Sequence, residues 1–227
     1  MGGSVSVRSF SKAARMPLRH AVIVLAALLL SGCYYSKNPV LDAAEGDPLP
    51  GGPGLFEREI THENLKAIER IEISEAKIGA GHGYAAIHTR ITNGATTVER
   101  YDALLKQQAN NRYVVQLNMG PEGGYKILVA EIDAKEIRFA TVTEPEVVNV
   151  VANLGIEIMA TPRFPFDSGL EQAVRSGKTI LARNPPGSND GPALYAPKEK
   201  ALAVAAALAG NENLAFIHKY SRTQSPR

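Results

Sequence analysis

The stretch Gly83–Gln108, GYAAIHTRITNGATTVERYDALLKQQ, changes its periodicity at a turn, and the reading of its two halves decides the fold. From Tyr84 to Thr92 the residues alternate. Ala85, Ile87 and Ile91 lie on one side and Tyr84, His88 and Arg90 on the other, the period of two expected of a half-buried strand. Asn93 and Gly94 then turn the chain. Beyond them Thr96 and Glu99 have the spacing of a capping box, and Val98, Tyr101, Leu104, Leu105 and Gln108 share one face of a helix running to about Gln108.

The same alternation of strand and helix extends to both sides. Upstream, ITHENLKAIER (Ile60–Arg70) carries a cap at Thr61, a hydrophobic staple between Ile60 and Leu65, and the start of an apolar stripe at Leu65 and Ile68, which predicts a helix. A strand is expected over Ile71–Ile78. Downstream, RYVVQLNM and YKILVAEI read as a hairpin across GPEGG, and EIRFATVT reads as a third strand. Pro145 opens a helix that Gly155 stops, IEIMAT is a short strand, and Asp167 or Ser168 caps a helix ending at Gly177. KTILAR, an alanine-rich helix from about Lys198 to Leu208 and the strand NLAFIHKY complete the chain. The expected fold is therefore α+β, a mainly antiparallel sheet with interspersed helices, in a single domain over residues 56–222.

The N-terminal region has a different character. The apolar run Ala21–Leu30 covers about 15 Å as a helix, roughly half the hydrocarbon core of a bilayer, too short to span it. Arg8, Lys12, Arg15 and Arg19 precede it with no acidic residue, the arrangement of an export signal. The following LSGC, Leu30–Cys33, resembles the lipobox of bacterial lipoproteins. That resemblance implies a signal peptide over residues 1–32, cleavage before Cys33, and acylation of Cys33, the one cysteine of the chain. It also implies a membrane anchor of several acyl chains, each methylene worth about 0.8 kcal/mol when buried. With Tyr34 rather than Asp after the cysteine, the sorting pattern of that class implies the outer membrane, facing the periplasm. Residues 33–55, crowded with Pro and Gly, read as a flexible tether, and residues 223–227 as a disordered tail.

Charge excludes one class of partner. Removing residues 1–32 takes four of the 25 basic residues and none of the 23 acidic ones, turning a net charge of +2 into −2. No basic footprint for nucleic acid remains.

Motifs for chemistry are sparse. SGKT, Ser176–Thr179, ends like a phosphate loop but lacks the earlier Gly and follows a helix instead of preceding one. SEAK, Ser74–Lys77, has the spacing of a serine acyl-enzyme, yet in a strand Ser74 and Lys77 point to opposite faces. On one strand His82 and His88 stand about 20 Å apart, too far to share a metal. No catalytic residue, metal or cofactor is assigned. The candidate contacts are His82, Tyr84, His88 and Arg90 in the glycine-rich GHGYAAIHTR, and Leu194 and Tyr195 in the long Pro-rich loop Arg183–Pro197. The expected function is that of a lipid-anchored envelope protein whose periplasmic domain binds or scaffolds a protein or other envelope partner. The alternative is an envelope hydrolase acting on peptidoglycan or peptides.

Overall fold

The computed structural model describes residues 33–62, 65–79, 81–120, 124–162, 172–173, 175–183 and 192–223. In chain order the strands are β1 (Cys33–Ser36), β2 (Gly54–His62), β3 (Leu65–Ile78), β4 (Gly81–Thr92), β5 (Ala95–Ala109), β6 (Arg112–Asn118), β7 (Tyr125–Ile132), β8 (Glu136–Ala140), β9 (Ile158–Pro162), β10 (Thr179–Arg183), β11 (Ala193–Tyr195) and β12 (Phe216–Arg222). Helices α1 (Glu144–Asn153) and α2 (Lys198–Gly210) interrupt them.

Asn93 and Gly94 form a two-residue turn with φ of 49° and 81°, the left-handed pair that matches the twist of a tight hairpin. Pairing then runs without interruption from Thr92↔Ala95 to Tyr84↔Ala103. Strands β2 to β5 make one long antiparallel meander, which β6, β7, β8 and β12 continue until β12 meets β2. Because β6 also pairs with β7, the eight strands β2–β8 and β12 close into a barrel. Closure is uneven. Strand β12 meets β2 only at Ser221↔Glu57 and Arg222↔Phe56, and β8 meets β7 only from Ala130 to Ile132. Over Tyr125–Leu128, β7 pairs with β1 instead, and from β1 the sheet continues outside the barrel through β11, β10 and β9.

This outer wing and both helices cover one side of the barrel. Ile127 and Val129 of β7, Val114 of β6 and Leu104 of β5 point outward into a core shared with Leu181, Leu194 and the buried valines of α1. Helix α2 contributes Ala201, Val204, Ala205, Leu208 and Ala209, whose small side chains let it lie close to the sheet. Helix α1 is capped reciprocally, with the Thr143 N–H donating to Glu146 Oε2 at 2.5 Å and Pro145 in the first turn. Elsewhere the outward positions carry Glu57, Glu59, Arg70, Glu72, Arg100 and Asp102. Ile68, Ile87 and Ile91 stand among them on the same outward side. No described helix is long and apolar enough to cross a membrane.

The expected α+β arrangement is thereby corrected to a closed antiparallel barrel with an attached wing. The two helices expected over Thr61–Arg70 and Thr96–Gln108 are strands, in β2–β3 and β5. Their cap-like spacings are real but local, and pairing along both edges of each strand overrides them. The tether is corrected as well. Tyr34, Val40, Leu41 and Leu49 are buried, and Gln116 holds the strap by accepting from the Val40 and Leu41 N–H groups and donating to the Leu41 carbonyl. Residues 47–53 plug the barrel end opposite the Asn93–Gly94 turn. There the Leu49 N–H donates to the Tyr84 hydroxyl at 2.7 Å, and Arg222 donates to the Pro53 and Gly52 carbonyls while stacking 4.5 Å above Phe56. Gly81 permits the adjoining approach, since a Cβ there would lie 2.5 Å from Ala43. Thr223 is tied to Leu55, while residues 224–227, the signal peptide expected over 1–32 and most of the helix expected over 167–177 lie outside the described residues.

Candidate functional site

Eight strands enclose an interior just wide enough for side chains or for one small ligand. Here it is not filled. A cavity of about 260 Å³ remains inside the barrel, floored by Leu49 and walled by Ile71, Ile73, Leu105, Val115, Leu117, Leu128, Ile137 and Phe139. Part of the room comes from Ala86 and Ala103 on adjacent strands, where a larger residue would reach across the interior.

Toward the Asn93–Gly94 turn the wall becomes polar. Arg58, Glu69 and Arg90 stand directly opposite one another on β2, β3 and β4, all on the inward face. Glu69 is fully buried. Its Oε2 accepts from Arg58 Nε at 2.5 Å and from the Tyr220 hydroxyl at 2.8 Å, and its Oε1 lies 3.1 Å from Arg90 Nε. The Arg58 guanidinium also sits 4.7 Å over the Tyr220 ring and donates to His218 Nδ1 at 2.8 Å. That donation assigns His218 the neutral form with its proton on Nε2. Burial, with the positive charge of Arg58 adding to it against the pull of Glu69, lowers the His218 pKa below its ordinary value. Burial first, and then the Glu69 charge, raises that of the Tyr220 hydroxyl. Burial also pulls the Arg90 guanidinium down, which Glu69 opposes.

One step back from the turn, His88 and Glu99 face each other on β4 and β5. His88 Nδ1 lies 3.3 Å from Glu99 Oε2, which also accepts from the Tyr101 hydroxyl at 2.8 Å. The His88 hydrogen bond is the main reason that the Glu99 carboxyl falls to a pKa of about 2, with Tyr101 and the charge of Lys126 assisting against burial. Lys126 enters from β7 at the same end and is buried at 7% exposure.

Several of these groups lack partners. Among the described residues, Arg90 Nη2, His88 Nε2 and His218 Nε2 are shielded from solvent and make no hydrogen bond. A buried polar group left in that state costs about 1–3 kcal/mol. The cavity thus has an apolar body and an end of polar groups without partners.

Tyr84, His88 and Arg90 lie together on the inward face of β4 and line this cavity. His82 shares their face but is exposed at the plugged end, edge-on to Tyr84 at 5.4 Å. Leu194 and Tyr195 are elsewhere, in β11 between β1 and β10, with Leu194 wholly buried in the wing core. They present no loop surface, because the segment expected as loop joins the sheet; residues 184–191 lie outside the described residues. Cys33 begins β1, paired with Leu128. The residues not anticipated from sequence are Arg58, Glu69, Glu99, Lys126, His218 and Tyr220. The signal for two of them was a carboxylate at every-second-residue spacing from apolar neighbours, Glu69 before Ile71 and Ile73, and Glu99 before Tyr101 and Ala103.

Among the described residues no three His, Cys, Asp or Glu side chains converge as metal ligands, and the cavity wall holds no serine or cysteine beside its histidines. No family model, curated protein or solved structure matches the chain.

Proposed function

We propose that the protein is a lipid-anchored binding protein of the bacterial cell envelope, held by acyl chains on Cys33 at the periplasmic face of the outer membrane, whose barrel takes one small, largely apolar ligand. The observation that carries this reading is the cavity of about 260 Å³, unfilled in a barrel whose outer core is packed throughout with fully buried aliphatic side chains. A convergent apolar pocket with a few polar groups at one end is the common form of a small-molecule site. The anchor rests on the sequence of residues 8–33. With β1 beginning at Cys33 and Tyr34 buried behind it, acyl chains there join the barrel without a spacer, so the binding domain rests at the membrane face. A protein partner docked through Leu194 and Tyr195 is no part of this reading, since Leu194 is in the core.

Two measurements test it. Titrating the full chain with the uncharged fluorophore N-phenyl-1-naphthylamine should give a saturable rise in emission with one site per chain. The double substitution Ala86→Leu and Ala103→Leu, which fills the cavity, should remove that site, and undiminished binding by the filled variant would sink the reading. Cys33→Ala should abolish incorporation of labelled palmitate, and continued labelling would remove the anchor.

A further inference from the structure

The charges at the polar end do not balance. Arg58, Arg90 and Lys126 bring three cations, and Glu69 and Glu99 two carboxylates, among the described residues. His218, held neutral by the Arg58 donor, contributes an N–H and no acceptor toward the cavity. Both carboxylates are already engaged, Glu69 by Arg58 and Tyr220, and Glu99 by His88 and Tyr101. Of the groups without a hydrogen bond at this end, Arg90 Nη2 and His218 Nε2 are donors, while Glu69 Oε1 is an acceptor already held beside Arg90 Nε, so the surplus is one positive charge. A buried cation without a counter-charge is costly, and an ionised acceptor that reaches it forms a charge-assisted bond about twice as strong as a neutral one.

Resting on the reading of the cavity as a ligand site, we infer that its ligand is a single-chain amphiphile with an anionic head. The head lies against Arg90, Lys126 and His218 and the apolar chain runs toward Leu49. Size agrees with one chain. A cavity of about 260 Å³ that runs from the polar end to Leu49 gives room for an apolar chain. A cationic head is disfavoured by the same surplus of positive charge, and an uncharged one leaves that surplus uncompensated and Arg90 Nη2 without an acceptor.

The test is displacement of N-phenyl-1-naphthylamine from the full chain by decanoate, decyl phosphate, decanol and decylammonium, all with the same apolar chain. An anionic competitor should bind at least about tenfold tighter than decanol, with decylammonium weakest. Whichever of decanoate and decyl phosphate is tighter identifies a carboxylate or a phosphate head. Arg90→Gln and, separately, Lys126→Gln should narrow the ratio between the anionic competitor and decanol, and Arg90→Lys should restore part of the preference. Because Lys126 stands outside the Glu69 cluster, its variant keeps the test alive if Arg90→Gln folds poorly. Equal binding of all four competitors, a preference for decylammonium, or a fluorophore that none displaces would overturn the inference while the cavity reading stands. Failure of the fluorophore itself to bind would instead remove the cavity reading.

Discussion

The two faces of β7 look into different interiors. Its outward side chains, Ile127 and Val129, enter the wing core, where Tyr34, Leu181, Leu194, Val204 and Leu208 are all fully buried. Its inward side chains, Lys126 and Leu128, line a cavity that also holds Arg90, His88 and Glu99. The aliphatic side is where burial contributes most, about 1.5–3 kcal/mol for each enclosed Leu, Val or Ile. The barrel interior forgoes part of that gain by keeping Ala86 and Ala103 small and by burying Glu69 between two arginines. A chain stabilised by its wing can leave its barrel underfilled, which is the condition that the proposed ligand site requires.

The contrast is broken most strongly by Glu69→Gln. It leaves Arg58 and Arg90, each with its side chain 11% exposed, facing each other with no carboxylate between them. Removing one partner of a buried ionic group costs about 3–5 kcal/mol, read as a lower urea midpoint. Leu194→Ala comes next, at about 3 kcal/mol from lost burial and the void left in the wing. Their difference lies in binding: Leu194→Ala should leave fluorophore affinity unchanged, since no cavity wall moves. In both variants the barrel and wing should unfold in one transition, because β7 belongs to both. Two separated transitions would show that β7 does not couple the two interiors.

Why the barrel escaped a reading of the sequence follows from the same residues. From Arg112 onward, strands β6, β7 and β8, helices α1 and α2, and β12 stand within a few residues of where their patterns place them. There the period-two and helical signals are apolar, because most of those elements face the wing core. The failures are Thr61–Arg70 and Thr96–Gln108, the segments whose inward positions carry Glu69 and Glu99. A carboxylate inside a strand erases the alternation that would reveal it, and the remaining apolar residues then fit a helical spacing by default. Strand β4 was legible as a strand, but its polar face was not legible as the inner one. Ala85, Ile87 and Ile91 are the more apolar set and yet point outward, and only closure of β12 onto β2, about 160 residues distant in the chain, makes the Tyr84–His88–Arg90 side an interior. The plug was hidden for a related reason. Pro and Gly mark the turns of residues 46–54, and the burial of Leu49 depends on the barrel mouth it fills.

The smallest effect is the one that separates the two interiors by acid. His218 has its pKa depressed in the folded barrel, so folding favours its neutral form. The stability it contributes is complete above the unfolded value near 6.5 and declines as pH falls below it. Glu99, held at about 2, contributes stability above the unfolded value near 4.3 that is lost between there and about 2. Half of the Glu99 side chain is exposed, so solvent screening keeps its share small. The shifted group in the wing core is the Tyr34 hydroxyl, which burial raises, so it remains neutral throughout this range. Between pH 7.5 and 5.5, acid therefore acts on the barrel at His218 and leaves Tyr34 of the wing core unchanged. Urea midpoints of the full chain should fall between pH 7.5 and 5.5 by less than either substitution above produces. His218→Gln, which keeps a polar side chain but cannot take up the proton, should flatten that fall. A slope equal in the variant and the parent chain would mean that His218 does not set the acid sensitivity, and that the polar end of the barrel is less tightly organised around Arg58 and Glu69 than its geometry indicates.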